Sequence, residues 1–187
     1  MKRSVCSFFG HRIIVPTDEL KTKLKLLIEH LIVEMGVNTF LFGSRSNFYE
    51  VCHDVVSELK GKYSHIIRIV YTCKSEGCVL ESESEKFKEF YSIIGRECEK
   101  ILVMDKEVEF KNKYSAGKAG YIERNCAMID DSNYCIFYYD QHYKLDFKKY
   151  SKRCLEYYRP RSGTATAFEY AKRKNKIIFN VKEELLW

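Results

Sequence analysis

The chain has 187 residues, 45% of them apolar, with a single Trp and a formal net charge of +6. That length suits one domain with a core that needs no staples, and no apolar run approaches the roughly 20 residues that span a bilayer. The charge is moderate and acidic residues run throughout, so the composition admits an anionic ligand but argues against nucleic acid, which leaves a stronger basic stripe.

Eight cysteines would suit a disulfide framework in a secreted chain. Here Cys6, Cys52, Cys126 and Cys135 lie inside apolar runs, where a reduced Cys acts as a small hydrophobe. Lys2-Arg3 imitates the start of a secretion signal, but Gly10-His11-Arg12 cuts the apolar run that follows. The expectation is a reduced, cytoplasmic protein.

In chain order, Ser4 to Phe9 reads as a buried strand stopped at Gly10. Thr17-Asp18 opens a helix with Leu20, Leu24, Leu27, Ile28, Leu31, Ile32 and Met35 in one stripe, and Gly36 closes it. Val37 to Phe42 is a second strand, ending at Gly43-Ser44. Phe48, Val51, Cys52, Val55, Val56 and Leu59 mark a second amphipathic helix closed by Gly61, and Ile66 to Tyr71 a third strand. Continuous apolar strands joined by amphipathic helices predict an α/β fold: Rossmann-like, doubly wound, a mostly parallel sheet with helices on both faces.

Ser75 to Lys86 is charged and broken, Phe87 to Cys98 suggests a helix, and Lys100 to Met104 a fourth strand. Glu107 to Tyr114 reads as charged surface. A helix is predicted from Ser115 to Asp131 and a strand from Tyr134 to Tyr139. Asp140 to Arg159 is an unusually long loop for such a fold. Pro160 to Val181 reads as a small-residue loop, an Ala-rich helix and a last strand from Ile177. No linker divides residues 1–187, so a single domain with a loop insertion at about 140–160 is expected.

In a parallel sheet all strands finish at one edge, and ligands bind in the crevice outside it. Gly10, His11 and Arg12 follow strand one; Gly43, Ser44, Arg45 and Asn47 follow strand two; Arg161, Ser162, Gly163 and Thr164 open the last helix. Gly allows close backbone approach, Arg offers a planar fork, and a helix start presents unpaired N–H groups. A phosphorylated, ribose-bearing small molecule fits these groups. His11 reads two ways, as a phosphate donor or as a cap on its turn.

The helix 115–131 carries two stripes, Ala119/Ile122/Cys126/Ile129 and Tyr121/Arg124/Asn125/Met128. The second is expected to meet either another subunit, giving a homo-oligomer, or the ligand crevice. Lys148 to Arg161, with Tyr150, Tyr157 and Tyr158, could fold over the site as a lid. Cys73, Cys78 and Cys98 are spaced too widely for a zinc knuckle. No metal and no cofactor are expected.

Cys6-Ser7-Phe8-Phe9-Gly10-His11-Arg12 resembles the opening motif of YpsA-like proteins, and Phe42-Gly43-Ser44 their second turn. Glu123-Arg124-Asn125-x-x-Met128, and Ser162-Gly163-Thr164 followed by Glu169-Tyr170-Ala171, resemble their later motifs. Those proteins belong to the SLOG superfamily, named for the Smf/DprA proteins and the LOG enzymes. The resemblance implies a Rossmann-like fold that binds nucleotides or nucleotide-derived ligands, often as a homo-oligomer. LOG enzymes cleave the N-glycosidic bond of cytokinin nucleotides, and the resemblance puts Arg124 in the place of their helix Arg. It also departs from them: the loop Arg161-Ser162-Gly163-Thr164 lacks paired glycines, Glu169 lies five residues after Thr164, and Tyr49 replaces an acidic residue. The expected function is therefore binding of a nucleotide-derived ligand, as sensor, sequestering protein or regulator. A phosphoribohydrolase using Arg124 and Glu169 is the alternative, and DprA-like single-strand DNA binding the third.

Overall fold

The computed structural model describes residues 4–43, 46–73, 105–110, 117–143 and 162–183. Within them six strands, β1 (Val5–Gly10), β2 (Thr39–Phe42), β3 (Ile67–Cys73), β4 (Lys106–Phe110), β5 (Tyr134–Tyr138) and β6 (Ile177–Asn180), form one sheet. Its order is β4-β3-β2-β1-β5-β6, and every pairing is parallel. Four helices accompany it: α1 (Asp18–Val33), α2 (Asn47–Lys62), α3 (Gly117–Asp130) and α4 (Gly163–Arg173). The doubly wound, Rossmann-like α/β architecture is as the sequence predicts.

The sheet is apolar on both faces because the inner strands β1, β2 and β5 divide their side chains between two cores. Cys6, Phe8, Phe40, Phe42 and Ile136 join the core beneath α1 and α2. Val5, Phe9, Leu41, Ile69, Cys135 and Phe137 join that beneath α3 and α4. The central strand is sealed by aromatic pairs on each side. Phe8 stacks on Phe42 with ring centroids 5.0 Å apart, and Phe9 on Phe137 at 4.9 Å; such a pair adds about 0.5–1.5 kcal/mol beyond burial. Burial also pushes the Cys6 and Cys52 thiols well up, and that of Cys135 to about 11. These cysteines are core hydrophobes.

The Thr17 side chain caps α1 by accepting from Leu20 N at 3.2 Å. Leu20, Leu24, Leu27, Ile28, Leu31 and Ile32 bury one face, while Met35 falls beyond the helix and is exposed. Gly36 takes φ +64, the left-handed turn that ends the segment. In α2, Gly61 is still helical, and the helix closes at Tyr63 instead. No backbone feature at Gly61 requires a stop, because its flanking lysines propagate the helix well.

Strand β4 takes in residues 107–110 of the stretch Glu107 to Tyr114, which reads from sequence as charged surface. An edge strand has one open side, and charges there discourage further pairing. The strand predicted at 100–104 and the helix predicted at 87–98 lie outside the described residues. So do most of the 140–160 insertion and the suggested lid.

The start of β4 is fixed by a charge network. Asp105 Oδ2 accepts from Arg68 N at 2.8 Å, Arg68 Nε at 3.2 Å and Lys60 Nζ at 3.0 Å. Arg68 Nη1 donates onward to Ser57 Oγ at 2.8 Å. Burial opposes the Asp105 charge, yet these hydrogen bonds hold its pKa at about 2 instead of 3.8. A depressed carboxylate stabilises the fold above its unfolded pKa and loses that contribution as pH falls between those values. Asp105→Asn is expected to cost roughly 1–2 kcal/mol at pH 7, allowing for partial exposure. Urea unfolding at pH 7 and pH 2 checks this, with most of the difference between the proteins lost at the lower pH.

Candidate nucleotide-binding edge

β1 lies between β2 and β5. The chain leaves β1 through α1 on one face and reaches β5 through α3 on the other, so the switch point lies between these strands. Two glycines finish the central strands there, each for a different reason. A Cβ on Gly10 would lie 2.4 Å from Phe48 Cγ and 2.5 Å from Phe48 Cβ. Gly10 is thus claimed by packing against the root of a buried ring. A Cβ on Gly43 would lie 2.8 Å from Arg124 Nη2 and 2.8 Å from Tyr49 Oη. Gly43 is where a guanidinium and a phenol reach over the end of β2.

Arg124 is 3% exposed and Tyr49 8%. Arg124 Nη2 donates to Asn125 Oδ1 at 3.1 Å, and its guanidinium sits 5.3 Å from the Tyr121 ring. The buried stripe of α3 is Gly120, Arg124 and Met128, spaced by four, with Ile129 beside it; Ala119 is exposed and Cys126 half-buried. This corrects the expectation of an oligomer through Tyr121, Arg124 and Met128. Arg124 and Met128 are buried within one chain, and Met128 belongs to its core. Arg124 and Met128 thus meet their own sheet, while Tyr121 and Asn125 are half-buried.

His11, 1% exposed, follows β1 directly. Its Nε2 accepts from Asp140 N at 3.0 Å, and Tyr143 stacks face-on at 3.8 Å between centroids. An imidazole that accepts at Nε2 carries its proton on Nδ1. Burial pushes its pKa below 6.5, with Asp140 pulling the other way, so it is neutral at pH 7. Among the described residues Nδ1 has no hydrogen-bond partner, and an unsatisfied buried donor costs about 1–3 kcal/mol.

Ser46, which the sequence reading did not single out, and the predicted Asn47 brace the edge. Ser46 Oγ donates to His11 O at 3.2 Å and accepts from Phe48 N at 3.2 Å, capping α2. Asn47 N donates to Arg12 O at 3.2 Å, and Asn47 Nδ2 to Ile14 O at 3.4 Å. Asn47 clamps the loop after β1, while the Arg12 side chain is exposed. Ser162 caps α4 by accepting from Ala165 N at 3.0 Å; Thr164 is buried, and nothing lies within 4 Å of a Cβ on Gly163. Glu169 is exposed, with Lys172 at 3.9 Å as its ion-pair partner. The structure brings Arg124 to Gly43, and no contact brings Glu169 to Arg124. Ser44, Arg45 and Arg161 lie outside the described residues.

Sequence reasoning missed the parts of the edge that come from β5 and β6. Tyr139 N donates to Asn180 Oδ1 and Asn180 Nδ2 to Tyr139 O, both at 3.0 Å. Tyr139 also stacks on Phe168 at 4.6 Å, seating α4 beneath it. An Asn closing the apolar run Ile177–Asn180 was the available signal.

No family model matches the chain, and no curated protein does. Among solved structures it resembles DNA processing protein A from Helicobacter pylori, described for its unique single-stranded DNA binding mode. The TM-score is 0.54 at 13% identity, over 95% of this chain and 64% of that one. The likeness is one of fold, and this chain spans about two thirds of that protein's length. It overturns the argument from charge against nucleic acid, because a protein of this fold binds single-stranded DNA.

The two glycines are expected to respond differently to a methyl group. Gly10→Ala forces the root of a packed ring to move and should cost about 1–3 kcal/mol. Gly43→Ala displaces only the far ends of Arg124 and Tyr49 and should cost less. Paired denaturant titrations distinguish them, and equal losses would contradict the assignment.

Proposed function

We propose that the C-terminal edge of the sheet binds nucleotide units of single-stranded nucleic acid. The observation that carries this reading is the Arg124 guanidinium, which reaches Gly43 at the end of β2, as the Tyr49 hydroxyl does, and lies 5.3 Å from the Tyr121 ring centroid. A planar, permanently charged fork suits phosphate oxygens, and tyrosine faces suit unstacked bases. Fold likeness to a protein that binds single-stranded DNA supports the polymer. The motifs running from Cys6 to Ala171 support placement beside the YpsA-like branch of the SLOG superfamily.

A free nucleotide-derived ligand, sensed or sequestered, is the second reading. It is favoured by His11, whose buried donor suits a single enclosed acceptor. The hydrolase reading needs Arg124 and Glu169 at one sugar, and the exposed position of Glu169 on α4 does not favour it.

Fluorescence anisotropy with a labelled oligothymidylate of about 20 nucleotides tests the proposal, with affinity expected to fall steeply as salt rises. Arg124→Gln should weaken binding roughly tenfold to hundredfold, the worth of hydrogen bonds to a charged group, with its melting temperature recorded alongside. No binding at low salt, with no thermal shift from mononucleotides, would overturn both binding readings. Free base released from nucleoside monophosphates would restore the hydrolase.

A further inference from the structure

His11 is buried at the switch point, and its Nδ1 has no hydrogen-bond partner among the described residues. Its ring is pinned at the other nitrogen. Asp140 N donates to Nε2 at 3.0 Å, and Tyr139, next to Asp140, is itself clamped in both directions by Asn180. The His11 carbonyl is held by Ser46 Oγ at 3.2 Å. Backbone and ring are therefore both fixed, and rotation of the imidazole would break the bond to Asp140. The charged groups facing it are Asp140 and Lys182, which lie 3.8 Å from one another. Tyr139 and Tyr143 supply the surrounding rings, at 6.1 Å and 3.8 Å between centroids.

From this geometry we infer that His11 Nδ1–H is a ligand-reading donor, which binds a phosphate oxygen of the nucleotide. The inference rests on the reading of this edge as a nucleotide site and names a specificity-determining atom within it. A neutral imidazole fixed in one tautomer donates at one place and accepts nothing there. It therefore selects an acceptor oxygen and rejects a donor, which a hydroxyl or an amide side chain would not do. Phosphate is shared by a nucleic-acid strand and a free nucleotide, so the two sources are separated by experiment.

Two substitutions divide the functions of the ring. His11→Gln keeps an acceptor near the Nε2 position for Asp140 and loses the Nδ1 donor. His11→Asn keeps a donor near Nδ1 and loses the bond to Asp140. Binding of the labelled oligothymidylate, thymidine 5′-monophosphate and inorganic phosphate is measured for each protein. Nitrogen-15 spectra of the wild-type imidazole are followed through the same titrations. His11→Gln should bind the oligonucleotide roughly tenfold to hundredfold more weakly, with His11→Asn nearer wild type and the Nδ1–H resonance moving on binding. Movement with the monophosphate or phosphate alone assigns the free nucleotide; movement with the oligonucleotide only assigns the strand. If wild type binds but His11→Asn is the weaker variant and Nδ1–H stays unmoved, His11 merely holds the 139–143 turn. That result overturns this inference and leaves the nucleotide reading standing. If wild type binds none of the three probes, the nucleotide reading falls and this inference with it.

Discussion

A parallel sheet covered on both faces has only its strand ends left to meet a ligand, and the rest of this molecule follows from that constraint. Phe8 and Phe9, adjacent on β1, each close one face. Helices cross on opposite sides of the sheet around β1 and β5, so the chain parts between these strands. That parting gathers the polar groups of four strand ends on one edge. Charge at the other edge has a structural task, as Asp105, Arg68 and Lys60 fasten β4 to β3.

The functional edge is braced before any ligand arrives. Ser46 and Asn47 hold the loop after β1, Asn180 holds the turn after β5, and Ser162 caps α4. Because both serines are spent on their own helix amides, the helix starts contribute less to anion binding than their small residues suggest. Two side chains supply positioned donors instead. Arg124 reaches the end of β2 from α3, and His11 bridges from β1 to β5. Both offer donors, which matches an acceptor-rich ligand such as phosphate.

The order of elements was legible because α1 and α2 carry near-perfect stripes and the inner strands are continuously apolar. The convergence of Gly10, His11 and Gly43 followed from parallel topology alone. The reasons for the glycines were not legible, since a sequence does not say whether Phe48, Arg124 or a ligand occupies the space of a missing Cβ. Strand β4 was hidden by its charges, because an edge strand needs few apolar side chains and Val108 and Phe110 are too short an alternation. Arg124 and Met128 fitted a subunit interface as well as the crevice, because a sequence does not separate an Arg buried within its own chain from one that faces a partner. Asn180 and Tyr139 are 41 residues apart, and such pairings leave no local trace.

The central claim is that nucleotide units sit where β1, β2 and β5 end. Photocrosslinking with an oligonucleotide carrying 4-thiothymidine, mapped by mass spectrometry of the digested protein, locates them directly. The account predicts adducts on Tyr49, Tyr121, Tyr139 or Tyr143. Adducts confined to residues 172–176, the basic end of α4 at the opposite edge of the sheet, would contradict it.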